Sequence, residues 1–306
     1  MSRSVKGSFI PPSRDGVGAS CVALPVGPWP LAIDFLAQRF PAISRTVWSQ
    51  RFVAGEVFDA TGNTLSLDTP YLARSRIFYY RSVPQEAVIP FKEHVIFRDD
   101  YLIAVDKPHF LPVTPAGRYV QQTLLVRLKC ALGIDTLAPI HRIDRETAGL
   151  VLFSIQPSTR AAYQALFRER AVVKHYEAIA RWQPSLALPM VMRSRLVEAD
   201  SFMKMRVVDG EPNTETHIAL LKVQGDLARY SLQPKTGQRH QLRVHMEALG
   251  MPILNDQIYP DHLPEADSGG IADYTRPLQL LAKSLTFTDP VTGACRQFES
   301  QLALHF

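Results

Sequence analysis

Apolar residues in the first part of the chain recur at helical spacing in two short segments. Residues 31–40 (LAIDFLAQRF) place their apolar side chains three and four residues apart, which predicts a helix. A second helix is predicted over 44–55, because Ser44 is a suitable N-cap residue there. Strand-like runs follow at 64–68 and 76–81. Together these segments predict a small module of helices and strands over residues 31–82.

The pattern differs on either side of this module. Residues 1–30 are rich in Gly, Ser and Pro and have no period, so they are predicted to form a flexible leader. From residue 86 onward, alternating or continuously apolar runs predict strands within 94–108 and at 149–155, 173–182, 215–223 and 228–234. Helices are predicted at 122–133, 157–170 and 236–250. Strands that follow one another between isolated helices favour an α+β domain over 86–306, with a mixed, mostly antiparallel sheet, flanking helices and a cleft.

Composition narrows the class of protein. The chain has 306 residues, of which 46% are hydrophobic, and domains commonly contain about 150 residues, so two domains are expected. No apolar run approaches the ~18 residues of a membrane span, and Pro11 and Pro12 interrupt any signal sequence. Three widely spaced cysteines form neither a disulfide framework nor a CxxC metal site. These features predict a cytoplasmic protein without membrane segments.

Positive charge is concentrated at the front of the chain. Residues 1–85 carry nine Lys and Arg against five Asp and Glu, whereas 86–306 carry 25 against 24. A basic front module before a nearly neutral domain favours a polyanionic partner such as RNA. An ordinary basic surface is the alternative interpretation.

Charged residues are densest just before the strand predicted at 149–155. The segment HRIDRETAGL (141–150) places Asp144 between Arg142 and Arg145, whose charges would keep its carboxylate ionised. An ionised, partly desolvated carboxylate can act as a nucleophile or a general base. The alternative is a surface loop of salt bridges.

Motifs of several other enzyme classes are missing from the sequence. HRID differs from a kinase HRD motif by one inserted residue, and neither a glycine-rich nucleotide loop nor DFG occurs. His240 and His245 are five residues apart, so they would point to different sides of a helix and do not match HExxH. No GxSxG is present. A kinase, a zinc peptidase and a serine hydrolase are therefore not indicated, and no metal site is predicted.

Three clusters occur in a specific order. HRIDRETAGLVLFS begins at residue 141, KHYEAIA spans 174–180, and TGQRHQLRVHMEALGMPILND spans 236–256. In order and spacing they resemble the RluA-like family of RNA pseudouridine synthases. The resemblance covers roughly residues 90–300, including DDYLIAVDKP (99–108) and LTFTDPVTG (285–293). Residues 31–81 resemble a degenerate form of the small ribosomal-protein-type RNA-binding module that often precedes this catalytic domain.

The resemblance implies that residues 86–306 convert specific uridines of structured RNA to pseudouridine, without metal or another cofactor. It implies that Asp144 is the nucleophile, that Tyr176 lies against the flipped uracil, and that Arg243 forms an ion pair with Asp144. Such a pair is physically reasonable because a buried carboxylate alone would become protonated, and arginine keeps its charge in proteins. Arg142 matches the position whose planar guanidinium fills the space left by the flipped base.

Two further residues are expected to assist substrate binding. Lys107, in the Lys-Pro turn, is expected to contact RNA phosphate, and His141 is expected to orient the loop at the substrate by hydrogen bonding. The expected partner is rRNA or tRNA, and the protein is expected to act as a monomer.

Some positions depart from the family pattern and leave alternatives open. Asp106, Phe110 and Leu281 occupy positions where relatives usually have Asn, Gly and His. GMPILND occurs in place of the commoner GHPILGD. These departures motivate the alternative of a non-catalytic RNA-binding or ribosome-assembly factor. A hydrolase or lyase that acts on a nucleoside through the same carboxylate is a further alternative.

Overall fold

The computed structural model describes residues 11–81, 86–199, 204–260 and 273–306. The chain divides into two compact units, Met1–Gln85 and Glu86–Phe306. Each unit has its own hydrophobic core.

The first unit packs two helices on a three-stranded antiparallel sheet. Its elements are β1 (Ser20–Ala23), α1 (Ala32–Arg39), α2 (Arg45–Val53), β2 (Val57–Asp59) and β3 (Arg76–Tyr79), and the sheet order is β1-β3-β2. Both predicted helices are present, and the Ser44 hydroxyl accepts a hydrogen bond from the Val47 N–H as an N-cap does. The buried side chains of Ile33, Leu36 and Trp48 form the centre of the core.

Two details of the first unit differ from the prediction. Ser20–Ala23, assigned to the flexible leader, forms β1, because backbone pairing with β3 orders a segment whose composition alone indicates a loop. Residues 64–68, all described, form no strand; Thr64 makes an isolated bridge to Phe58 and the chain then turns.

The second unit is built on an eleven-stranded sheet. Its strands are β4 (His94–Arg98), β5 (Leu102–Lys107), β6 (Ala138–Pro139), β7 (Ala148–Ser154), β8 (Val173–Arg181), β9 (Met190–Glu198), β10 (Met205–Val208), β11 (Thr214–Gln224), β12 (Leu227–Pro234), β13 (Leu280–Thr288) and β14 (Cys295–Glu299). Its helices are α3 (Leu124–Leu132), α4 (Pro157–Arg168) and α5 (Gln241–Ala248). The main path runs β10-β9-β11-β12-β8-β13-β7-β5-β4, while β14 pairs with β13 and β6 with β7. All pairs are antiparallel except β13 with β7, which confirms the predicted α+β class with a mixed, mostly antiparallel sheet.

Local sequence explains the burial of β5 and β7 and the two ends of α3. Every residue of β5 and β7 is buried, as expected for continuous apolar runs in the middle of a sheet. Helix α3 begins after Thr123, whose side chain accepts from the Val126 N–H, and ends at Gly133 in the left-handed conformation.

One strand places the start of β7 close to β8. Ala282 of β13 pairs with Gly149 of β7 on one side and with Tyr176 of β8 on the other. A Cβ atom at Gly149, where φ is +107°, would lie 2.3 Å from the Ala282 carbonyl oxygen, so only glycine fits. The loop before β7, which contains Asp144, is thereby held near Tyr176.

Candidate active site

The three clusters singled out in the sequence line one cleft of about 1050 Å³. The loop before β7 contributes Arg142 and Asp144, and β8 contributes Lys174 and Tyr176. The segment that leads into α5 contributes Arg239 and His240, and α5 itself contributes Arg243. The charged side chains among them carry a net positive charge, which favours an anionic ligand.

Arg243 and Asp144 meet in this cleft although 99 residues separate them in sequence. Arg243 Nη1 donates to Asp144 Oδ2 at 3.3 Å, so the expected pair is present. The other side of the guanidinium binds a second carboxylate: Nε donates to Asp256 Oδ2 at 2.7 Å and Nη2 to Asp256 Oδ1 at 2.6 Å. The Arg243 and Asp256 side chains are each 1% exposed, whereas that of Asp144 is 28% exposed. Arg243 therefore joins a buried anchor to a carboxylate that a ligand can reach.

The electrostatic environment keeps Arg243 and Glu146 charged and Tyr176 neutral. Burial by itself would lower the pKa of Arg243, but the hydrogen-bonded Asp256 and the charges of Asp144 and Glu146 raise it above its usual value. Burial would raise the pKa of Glu146, but Arg145 and Arg243 bring that pKa below its usual value. Burial and the nearby Asp144 charge both raise the pKa of Tyr176, which is therefore a neutral hydroxyl at pH 7.

Helix α5 is held in place by polar side chains that are buried. Gln241 donates through Nε2 to the Glu215 carbonyl and to the Thr216 hydroxyl, and accepts from the Thr236 hydroxyl at 2.7 Å. His245, which is fully buried, lies within 3.0 Å of the hydroxyls of Ser194, Thr214 and Thr216. The motif TGQRHQLRVH thus supplies the anchors of α5 as well as Arg243.

The loop that contains Asp144 is held by hydrogen bonds from residues at and just after the end of β5. Lys107 Nζ donates to the carbonyls of Arg145 (3.0 Å) and Pro108 (2.9 Å), and His109 Nδ1 lies 2.7 Å from the Glu146 carbonyl. Lys107 is fully buried, and burial lowers its pKa to about 7. The expectation that Lys107 contacts phosphate is therefore wrong for this structure, because β5 is buried on both faces up to its last residue.

His141 also lies outside the residues that line the cleft. Its Nε2 accepts the Leu152 N–H at 3.1 Å and its ring stacks on Phe167 at 4.2 Å. Burial and the Lys174 charge lower the pKa of His141 to about 3, so the ring stays neutral and can keep accepting. His141 touches the core rather than the cleft, and its role in orienting the loop stays a prediction.

Sequence reasoning missed several residues that complete the site. Asp256 is the last residue of the quoted GMPILND motif, and that match was the signal that could have identified it. Tyr259 accepts the Met205 N–H and contacts His240. Tyr119 accepts from Arg145 Nη1 at 2.9 Å and lines the cleft. Nothing in the local sequence around Tyr119 indicates this contact.

Neither a metal-binding cluster nor a membrane-spanning helix is present among the described residues. No group of three or more His, Cys, Asp and Glu side chains there could hold a metal ion. In the same part of the chain, no helix is both long and apolar enough to cross a membrane. The monomeric state and the cytoplasmic location stay predictions.

Comparisons with known proteins agree with the fold. A family model described as RNA pseudouridylate synthase matches residues 101–248, which include Asp144, Tyr176 and Arg243. A solved structure of human RNA Pseudouridylate Synthase Domain Containing 4 superposes with a TM-score of 0.52 at 28% identity, covering 69% of this chain and 88% of that one. The protein is thus an RNA-modifying enzyme of the pseudouridine synthase class.

Sequence relatives specify the family more closely. The dual-specificity RNA pseudouridine synthase RluA of Haemophilus influenzae is 31% identical over 68% of this chain and 92% of its own length. An uncharacterized RNA pseudouridine synthase of Synechocystis sp. is 28% identical over 74% of this chain and 78% of its own length. The chain belongs to the RluA-like family of RNA pseudouridine synthases, which isomerise uridine in RNA.

Proposed function

We propose that this enzyme converts specific uridines of structured rRNA or tRNA to pseudouridine, with Asp144 as its nucleophile and with the target base flipped into the cleft. The observation that carries the proposal is the ion pair at 3.3 Å between Asp144 and Arg243. Arg243 and Asp256 are buried, so Asp144 is the member of this group of three that a ligand can reach. The reaction breaks the bond between ribose C1′ and N1 of uracil and forms a bond between C1′ and C5. The C5 hydrogen leaves as a proton and N1 takes up a proton, so the product is an isomer of uridine.

The two oxygens of Asp144 have different surroundings. Arg243 Nη1 and His240 Nε2 both lie next to Oδ2, at 3.3 and 3.9 Å. No hydrogen bond to Oδ1 is formed by any part of the chain that the structure describes. Oδ1 is therefore the oxygen available to react. It can attack C6 of the base or C1′ of the ribose, or assist elimination at the sugar.

The proposed reaction requires the target uridine to leave its stack. An enzyme cannot reach a glycosidic bond inside a stacked helix, and extrusion of the base costs a few kcal/mol. Arg142 is exposed, lines the cleft, and lies two residues before Asp144. Its planar guanidinium can stack on bases and pair with phosphate, so it is suited to occupying the vacated space.

Tyr176 is proposed to lie against the flipped uracil. It lines the cleft from β8, beside Leu280 of β13. Because its hydroxyl is neutral at pH 7, it can donate a hydrogen bond to the base during the turn. An apolar ring face and a polar tip suit this position.

The substrate proposal can be tested by mapping pseudouridines in total RNA from cells with and without the gene. We expect a small set of pseudouridines in rRNA or tRNA to be lost without the gene and to return when it is restored. Identical maps would contradict the proposed substrate class.

A further inference from the structure

His240 occupies an unusual position between the cleft and a tyrosine. It is the N-cap of α5 and has a left-handed backbone, with φ at +54°, which few non-glycine residues adopt. Its side chain is 8% exposed, and its two ring nitrogens have different neighbours. Nε2 lies 3.9 Å from Asp144 Oδ2, and Nδ1 lies 3.0 Å from the Tyr259 hydroxyl oxygen.

The partners of Tyr259 decide which ring nitrogen carries the hydrogen. The Tyr259 oxygen accepts the Met205 N–H at 2.8 Å, a bond in which only the amide can donate. If Nδ1 of His240 also donated to it, the phenol hydrogen would have no acceptor among the described residues. The satisfied arrangement has the Tyr259 O–H donating to Nδ1. The hydrogen of a neutral imidazole is then on Nε2.

The ring is neutral at pH 7 in this environment. Burial is the largest influence and lowers the pKa of His240; Arg243 and Arg239 lower it further, while Asp144 and Asp256 raise it. The net pKa is below the ordinary 6.5. The Nε2–H consequently points its partial positive charge at the Asp144 carboxylate, on the same oxygen that Arg243 contacts.

We propose that Tyr259 is a positioning residue for the isomerisation: it fixes the His240 tautomer whose Nε2–H faces Asp144 and so helps to aim that carboxylate. This inference rests on the proposed role of Asp144. The segment 256–259 then orients both neighbours of Asp144. Asp256 holds Arg243, and Tyr259 holds His240.

The first test is Tyr259→Phe, which removes only the hydroxyl. Activity is measured as tritium release from RNA labelled at C5 of uridine and prepared from cells without the gene. We expect kcat to fall about tenfold with KM nearly unchanged, less than the ~100-fold that a 1 Å misplacement can cost. Tyr230→Phe is the matched control, because its buried hydroxyl donates to the Arg181 carbonyl outside the cleft. It should keep the wild-type kcat.

The second test observes the tautomer without turnover. In ¹⁵N NMR spectra of the full chain, the His240 signals are assigned by their loss in His240→Gln. We expect the Nε2–H tautomer in the wild type and a mixture of tautomers in Tyr259→Phe. A wild-type Nδ1–H tautomer, or an unchanged kcat in Tyr259→Phe, would overturn the inference.

Two substitutions at His240 separate positioning from simple packing. The amide nitrogen of Gln can take the place of Nε2, whereas that of Asn reaches only the place of Nδ1. We expect the kcat of His240→Gln to be several-fold higher than that of His240→Asn. Equal kcat values would contradict the proposal. Failure of the Asp144 assignment is recognised separately, by activity of Asp144→Asn.

Discussion

At the scale of single residues, Arg243 is a buried cation that lies near three carboxylates. Asp256 binds two of its nitrogens, Asp144 lies 3.3 Å from a third, and Glu146 lies 4.0 Å away. Removing the cation would leave the fully buried Asp256 carboxylate without its partner. Breaking a buried pair in this way costs about 3–5 kcal/mol.

Arg243→Ala is therefore expected to lower the free energy of unfolding by ~3–5 kcal/mol and to abolish turnover. Urea unfolding and tritium release are the measurements. Arg239→Ala is the control: its side chain is 34% exposed and its ion partner Glu198 is 76% exposed, so the loss should stay under about 1 kcal/mol. Equal losses for both variants would show that Arg243 has no structural role beyond that of a surface arginine.

Lys107 is expected to matter for the same loop without contacting RNA. Lys107→Met keeps most of the buried volume but leaves the Arg145 and Pro108 carbonyls without their donor, which costs about 1–3 kcal/mol. We expect reduced stability and a lower kcat, with unchanged salt dependence of RNA binding. A flatter salt dependence would instead indicate a phosphate contact.

The sequence predicted the residues of the site unevenly, for physical reasons. Asp144 and Arg243 were paired through the family resemblance alone, since no local pattern joins positions 99 residues apart. Asp256 and Tyr259 were missed because their roles depend on the contact of their loop with α5. The structure shows the backbone or packing environment at two of the departures, Phe110 and Leu281. Phe110 has φ at +67°, where glycine is easiest, and Leu281 packs in the core with Ala148, Ile179 and Leu304.

At the scale of elements, α5 shows where pattern reasoning succeeds and fails. A helix was predicted over 236–250, but it begins at Gln241, because the preceding residues form the turn that anchors it. Its polar residues Gln241, Arg243 and His245 are buried, which the spacing of polar residues along the sequence does not indicate. Strands β13 and β14 were not predicted. The parallel pairing of β13 with β7 joins distant segments and leaves no local signal.

His245 should make the stability of this element depend on pH. Burial lowers its pKa to about 4 from an ordinary 6.5, so the unfolded chain binds more protons between these values. The free energy of unfolding should therefore fall as pH falls from 6.5 towards 4, by at most ~1.4 kcal/mol per pH unit from this residue. His245→Gln should be less stable at pH 7 and should show a flatter decline, measured by urea unfolding at several pH values.

The matched control for His245 is His305→Gln, since His305 is exposed. This variant should keep the wild-type dependence of stability on pH. An unchanged slope in His245→Gln would mean that the buried histidine does not titrate in this window.

At the scale of the whole molecule, the basic first unit is expected to add RNA affinity without chemistry. Three arginines on its helices, Arg39, Arg45 and Arg51, are candidates for phosphate contacts, and their surroundings differ. Arg51 is 7% exposed and packs over Trp48, and Arg45 pairs with Asp34, while Arg39 is exposed. Phosphate contacts release counterions, so each lost contact flattens the salt dependence of binding.

Arg39→Ala in the full chain should weaken RNA binding and reduce the slope of log K against log salt by about 0.7–0.9. Fluorescence anisotropy at several salt concentrations measures both quantities. Arg168→Ala is the control, because this arginine is 70% exposed and lies on α4 of the other unit. If Arg39→Ala and Arg168→Ala bind like the wild type, Arg39 makes no phosphate contact.

The most direct test of the whole account is tritium release by Asp144→Asn from RNA labelled at C5 of uridine. This substitution keeps the side-chain volume and removes the reactive charge, while Arg243 retains its pair with Asp256. Asp100→Asn, at an exposed carboxylate outside the cleft, controls for loss of charge. If Asp144 is the nucleophile, both variants should bind RNA and unfold like the wild type, Asp100→Asn should release tritium at the wild-type rate, and Asp144→Asn should release it only at the background rate. Release by Asp144→Asn at the wild-type rate would contradict this assignment.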